Sequence, residues 1–260
     1  MTSLAPSSRS RFGWYLYDCA NSAYVTTVAA AFLPDYFLKV IAAGVSTPFR
    51  PDTMWAWTLS GSALIAFLLA PVLGAVADFT ASRKKFLFAF ASMGALSTML
   101  LFFSGPGDVY WTLALFLVAQ VCFVSSLVFY DSFLPLVASD EEADAVSAKG
   151  YSYGYIGGGL QFAVSLALYA SRDALGLSEA GAARVAILMA GMWWAIFTVI
   201  SARLIVEPPT SPTKHASTPP RNLAHYLSIG VSRTWATLHH ARRYRHLVLF
   251  LVAFMLYNDG

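Results

Sequence analysis

Charge is scarce in this sequence: Asp, Glu, Lys and Arg make up only 12% of its 260 residues, where a soluble domain carries about a quarter. With 57% hydrophobic residues alongside, that shortage excludes a soluble globular domain and marks an integral membrane protein. Cysteine is nearly missing. Cys19 and Cys122 both lie in apolar runs without metal-ligand spacing, so they read as small buried hydrophobes. Histidine is absent from every long apolar segment, because His215, His225, His239, His240 and His246 all fall late in the chain; no metal site is expected. There is no Gly-x4-Gly-Lys-Ser/Thr loop, no His-Glu-x-x-His and no Gly-x-Ser-x-Gly, so no nucleotide, cofactor or enzymatic chemistry is expected. Nucleic acid is left out as well, for want of a basic stripe interleaved with stacking aromatics on a soluble face. The start of the sequence is expected to be an uncleaved first span and not a leader, because the apolar run behind MTSLAPSSRSR is too long and contains Asp18.

What is there is a series of long apolar segments, approximately Trp14 to Val40, Met54 to Phe79, Phe86 to Ser104, Val109 to Ala138, Tyr151 to Ala170 and Arg184 to Val206. At about 1.5 Å per residue each is long enough to cross a ~30 Å hydrocarbon core, given some tilt. The expected fold is therefore an all-α polytopic membrane protein with six spans over residues 14–206. Turn formers separate them, notably Gly44, Pro48 and Pro51 after the first and Gly105, Pro106 and Gly107 after the third.

The stretch LGAVADFTASRKK, Leu73 to Lys85, orients the whole. It joins two spans by a short link, so they are antiparallel neighbours, and its basic cluster marks one side. Thirteen Lys and Arg fall on that side: Arg9, Arg11, Arg83, Lys84, Lys85, Lys149, Arg203, Lys214, Arg221, Arg233, Arg242, Arg243 and Arg245. The other four, Lys39, Arg50, Arg172 and Arg184, fall opposite. This bias assigns residues 1–13 and the long segment 207–245 to the cytoplasm. That segment opens with PPTSPTKHASTPP, an extended linker by its prolines, and Asn222 to Arg245 then fits a helix either lying in the headgroup layer or packing under the bundle. Residues 246–260 are expected to be an incomplete seventh span: about thirteen apolar residues from His246 reach only ~20 Å.

Polar residues at membrane depth are costly and so are candidates for function. Asp18 stands one turn into the first span with Asn21 and Ser22 on its side; Tyr17, Asn21 and Tyr24 form an adjoining stripe, inward-facing if Val25, Ala29 and Phe32 meet lipid. Such a wedge suits a solute path, with acceptors for an ammonium group and hydroxyls and an amide to orient it. The competing reading makes Asp18 an interfacial anchor paired with Arg11 or another base. Tyr130 and Asp131 near the end of the fourth span echo this pair, as do Asn258 and Asp259 in the seventh. Gln161 and Gln120 either contact solute or bond across helices. In the fifth span, Gly150, Gly154, Gly157, Gly158 and Gly159 leave one side almost bare, allowing close helix contact and sliding. The acidic loop Ser139 to Asp144 either begins the next helix with a Ser or Asp cap or meets Arg83 to Lys85.

Gly74-Ala75-Val76-Ala77-Asp78 followed by Arg83-Lys84-Lys85 resembles the signature between the second and third helices of the major facilitator superfamily, with Phe79, Ala81 and Ser82 departing from it. WYLYDCANSAY (Trp14 to Tyr24), FLPLVASDEEADAVSAKGYSYGYIGGGL (Phe133 to Leu160) and LYNDG (Leu256 to Gly260) are similar to the branch that holds bacterial proteins of unassigned substrate and fungal vacuolar amino-acid effluxers of autophagy. The resemblance implies a secondary transporter of two six-helix halves, here the first half with a stub of the seventh helix, in a bacterial inner membrane. It implies a small polar solute, amino acids included, moved by alternating access, with the absent second half or a second copy of the chain completing the cavity. Asp18, Tyr17, Asn21, Tyr24, Tyr130, Asp131, Gln161, Asn258 and Asp259 are then the solute-path candidates. Gly74, Asp78, Arg83, Lys84, Gly154 and Gly158 are the gating candidates. The rival classes are a membrane-embedded enzyme and a non-transporting receptor or scaffold.

Overall fold

The computed structural model describes residues 7–79 and 82–207, together with Ser232, Trp235, Leu249 and Ala253. The linker, the interfacial helix and the seventh span expected over 207–245 and 246–260, with Asn258 and Asp259, lie outside the described residues apart from Glu207 and those isolated positions.

Six long helices form the described part: α1 (Ser8–Ile41), α2 (Pro51–Phe79), α3 (Arg83–Phe103), α4 (Val109–Ser132), α5 (Ala143–Ala170) and α6 (Glu179–Leu204). Five of them are long and apolar enough to cross a membrane; α5 falls short of the expectation because Gln161, its tyrosines and its glycines lower its mean hydropathy. The fourth span also ends sooner than expected. Pro135 can donate no backbone N–H, so the chain leaves α4 at Ser132 and makes a separate single turn, Leu134–Val137. The basic cluster, expected in a loop, instead forms the first turn of α3.

α1 is the hub, packed between α5 and α6, while α3 bridges α4 and α6 and α2 leans on α4. Its turns widen over Tyr24–Phe32 and Phe37–Ile41, where backbone N–H groups bond five residues back, as Ala42 N does to Phe37 O at 2.9 Å. The buried positions there, Tyr24, Thr27 with Val28, Phe32 with Leu33, Tyr36 with Phe37, and Ile41, recur on average every four to five residues and not every 3.6. This is why Phe32, placed toward lipid by ordinary helical spacing, is buried against Phe162 and Tyr169.

Small residues set the helix spacing. A Cβ on Gly13 would lie 2.7 Å from Leu204 Cβ, and Ser201 Oγ donates to Gly13 O at 2.7 Å, which clamps α1 to the end of α6. Gly191 admits Met99 in the same way between α6 and α3. At the other end of the bundle, Gly107 (φ 93°) turns the chain into α4 and its N–H donates to Ile41 O at 2.8 Å. The outer faces of α2 and α5 stay open, presenting Trp57, Phe67 and Leu68 on one and Tyr155, Ile156 and Leu160 on the other.

Candidate functional site

A cavity of about 460 Å³ lies where α1, α4 and α5 meet. α1 contributes Asp18, Asn21, Ser22, Val25 and Thr26; α4 contributes Phe123, Leu127, Tyr130 and Asp131; α5 contributes Tyr151, Gly154, Tyr155 and Gly159. Two acids predicted from distant parts of the sequence thus border one space. Asp18 is only 8% exposed and its carboxylate rests against Gly154, where a Cβ would stand 2.9 Å from Asp18 Cγ. Among the described residues no hydrogen bond or ion pair reaches either carboxylate. Arg11, offered above as the partner of an anchoring Asp18, pairs instead with Glu142 at 2.8 Å and donates to Val137 O at 2.9 Å. Asn21 is 2% exposed, and its Nδ2 has no hydrogen-bond partner among the described residues.

The other predicted path residues hold the walls. Tyr17 is fully buried and its hydroxyl donates to Ser126 Oγ at 2.6 Å; Tyr24 is equally buried and donates to Gln120 Oε1 at 2.9 Å. Gln161 accepts from Thr27 Oγ1 and donates to Ser165 Oγ at 2.9 Å. None of the three lines the cavity. Tyr130 does, with its ring stacked on Trp14 at 4.4 Å and its carbonyl accepting from Trp14 Nε1 at 3.0 Å. Reasoning from the sequence missed Tyr151 and Tyr155. They follow one another at i, i+4 on α5, each directly after a buried glycine of the α1 contact, and that spacing was the available signal.

Of the α5 glycines, Gly150 meets Trp14, Gly154 meets Asp18, Gly157 meets Cys19 and Gly158 meets Ser22, so all four seat α5 on α1; Gly159 faces open space. Gly74 on α2 likewise has nothing near it.

A second polar region surrounds the start of α3. The Glu207 carboxylate accepts from Arg83 N at 2.9 Å and Lys84 N at 3.1 Å, satisfying two of the first-turn N–H groups that a helix leaves unpaired. It also offsets three bases placed unfavourably at the positive end of the helix dipole. Arg83 reaches Ala77 O at 2.7 Å and Ser132 O at 3.3 Å, and Lys84 Nζ reaches Ile205 O at 2.7 Å, so α2, α3, α4 and α6 are tied together there. The side chain of Asp78 lies outside the described residues. The acidic loop meets Arg11 and not Arg83 to Lys85, and α5 begins after Glu142 with no side-chain cap from Ser or Asp.

A protein-family model described as "Vacuole effluxer Atg22 like" matches residues 52–260. The "Uncharacterized MFS-type transporter YxiO" of Bacillus subtilis is 32% identical over 250 residues, covering 95% of this chain and 56% of that protein. "Autophagy-related protein 22" of Kluyveromyces lactis is 24% identical, covering 98% of this chain and 58% of that one, and its Neurospora crassa counterpart is 26% identical over 78% of this chain and 36% of that one. The chain spans about half the length of the curated relatives it matches. No solved structure matches it. With the family model covering most of the sequence and apolar helices throughout the described bundle, the chain belongs to the vacuole effluxer Atg22-like family of major facilitator transporters, a family of membrane transporters and not of enzymes.

Proposed function

We propose that the protein serves secondary transport of a small polar solute, amino acids being the favoured class, by alternating access, with the cavity of α1, α4 and α5 as this chain's share of the solute path. The observation that carries this reading is the pair of unneutralised acids, Asp18 and Asp131, beside the unpartnered amide of Asn21. A carboxylate at membrane depth costs about 3 kcal/mol on insertion scales, whereas the neighbouring polar side chains of Tyr17, Tyr24 and Gln161 are all hydrogen-bonded. The printed names of the relatives, an effluxer and a transporter, support the class. The distribution of Lys and Arg supports an arrangement with residues 1–13 and 207–245 in the cytoplasm of a bacterial cell. In this reading Arg83, Lys84, Gly74 and Asp78 act at the cytoplasmic rim, and Gly154 and Gly158 permit movement of α5 against α1.

The cavity is walled on one side only, and Tyr151 and Tyr155 on its border are exposed. A complementary set of helices, from a continuing chain or a second copy, closes it. Counterflow of labelled amino acids in proteoliposomes tests the reading. The 260 residues alone are expected to give no flux, and flux is expected once the complementary helices are supplied. Asp18→Asn is expected to lower that flux at least about tenfold, a loss of ~1.4 kcal/mol. Undiminished flux in the variant would remove Asp18 from the path; no flux under any gradient would favour a receptor or scaffold.

A further inference from the structure

We infer that the cavity between α1, α4 and α5 recognises the ammonium end of a solute and does not read a carboxylate, so that this chain on its own prefers amines lacking an anionic end. The inference rests on the solute-path reading above and narrows it. Four observations carry it. Asp18 and Asp131 border the same space, and no cation compensates either among the described residues. No Lys, Arg or His among the described residues lines the cavity, so there a ligand carboxylate meets no opposite charge and faces two of its own sign. Tyr130, Tyr151 and Tyr155 stand on the same border, and aromatic rings attract ammonium groups, modestly at exposed positions such as Tyr151 and Tyr155. Finally, Asn21 lines the cavity, unlike the other unpartnered buried groups of the bundle, and its buried Nδ2 has no hydrogen-bond partner among the described residues, which fits a ligand with a neutral acceptor near its charged end. Gly154 lets the Asp18 carboxylate pack directly against α5 at the border of the cavity. An amino acid would present its ammonium here, and its carboxylate would have to be met by another part of the transporter or not at all.

Equilibrium binding to the 260-residue chain in lipid nanodiscs, read by ligand-observed NMR, separates this from the transport reading because no flux is required. Three probes share one skeleton: phenethylamine carries only the ammonium, phenylalanine carries both charges, and 2-phenylethanol carries neither. Phenethylamine is expected to bind about tenfold or more tightly than either of the others. Asp18→Asn is expected to remove most of that preference. Tyr155→Ala, at a position 81% exposed that the fold does not need, is expected to weaken phenethylamine about threefold while leaving the melting temperature unchanged. Phenylalanine binding as tightly as phenethylamine, or 2-phenylethanol doing so, would overturn the inference. So would an Asp18→Asn chain that melts normally and keeps the preference, a response to Na⁺ alone, or no phenethylamine binding up to about 10 mM. Ammonium-selective binding without flux in the completed transporter would sink the transport reading and leave this one standing.

Discussion

Two polar regions sit at the basic half of this bundle, and they are built on opposite principles. Around the start of α3 every charged side chain the structure describes in contact has a partner: Glu207 accepts from two backbone N–H groups, Arg83 and Lys84 donate to carbonyls of three other helix ends, and Arg11 holds Glu142. Around Asp18 the reverse holds, with two carboxylates and one amide that have no partner among the described residues, on a glycine-smoothed wall. Buried or half-buried polar groups that serve stability are normally satisfied within the protein; groups left open at a cost are where a ligand completes the set. The contrast runs between the two sets of candidates: Arg83 and Lys84 are bonded to the ends of neighbouring helices, and Asp18, Asn21 and Asp131 have no hydrogen-bond partner among the described residues.

The comparison can be broken most forcefully at the contact that brings the cavity together. Gly157 packs on Cys19, where a Cβ would approach Cys19 Cα to 2.9 Å. Gly157→Val is expected to push α5 from α1 and destabilise by about 1–3 kcal/mol, lowering the melting temperature in detergent; an unchanged melt would mean the two helices are not held as described. Next comes Glu207→Gln, which weakens two charge-assisted bonds to the start of α3 and is expected to cost about 1–2 kcal/mol. The matching change in the other region has the opposite sign. Asp18→Asn keeps the shape and removes an uncompensated charge, so it is expected to stabilise the bundle by up to about 1 kcal/mol while impairing function. If both substitutions destabilise equally, the distinction between the two regions fails.

The smallest effect is a pH dependence at Arg11 and Glu142. The hydrogen bond from Arg11 holds the Glu142 carboxyl below its ordinary value of 4.5. Stability from this pair is therefore fully present above pH 4.5 and is lost as pH falls through the lower folded-state value. Both groups are solvent-accessible, so the change is expected to be slight. Arg11→Gln should flatten this acid limb of the melting profile, and an identical limb in the variant would assign it to other carboxylates.

Much of the fold was legible because the lipid environment writes it into composition. Runs without charge must be buried in hydrocarbon, and proline, glycine and the basic residues punctuate them, so the positions of α2, α3 and α6 agree with the apolar segments to within a few residues. The limits appeared where a local rule gave way to a longer-range one. Pro135 split the fourth segment, and the polar and glycine content of α5 kept it below the hydropathy of its neighbours. The Asp18 side of α1 was readable from i+3 and i+4 spacing, and beyond Tyr24 the widened turns rotated Phe32 inward, which a fixed period of 3.6 does not foresee.

By itself, the sequence determined that this is a helical membrane protein, where most of its helices run, which family it resembles and that Asp18 is out of place in an apolar span. Those are properties of single segments, dictated by the cost of carrying charge or unpaired backbone into lipid. Only the tertiary structure decided which polar groups have partners. Tyr17, Tyr24 and Gln161 look as functional as Asn21 along the chain, yet Ser126 and Gln120 of α4 reach across to the two tyrosines of α1, and Thr27 of α1 reaches Gln161 of α5. Whether a hydrogen bond is made depends on distances between helices, and these follow from where the glycines of α5 let α1 approach.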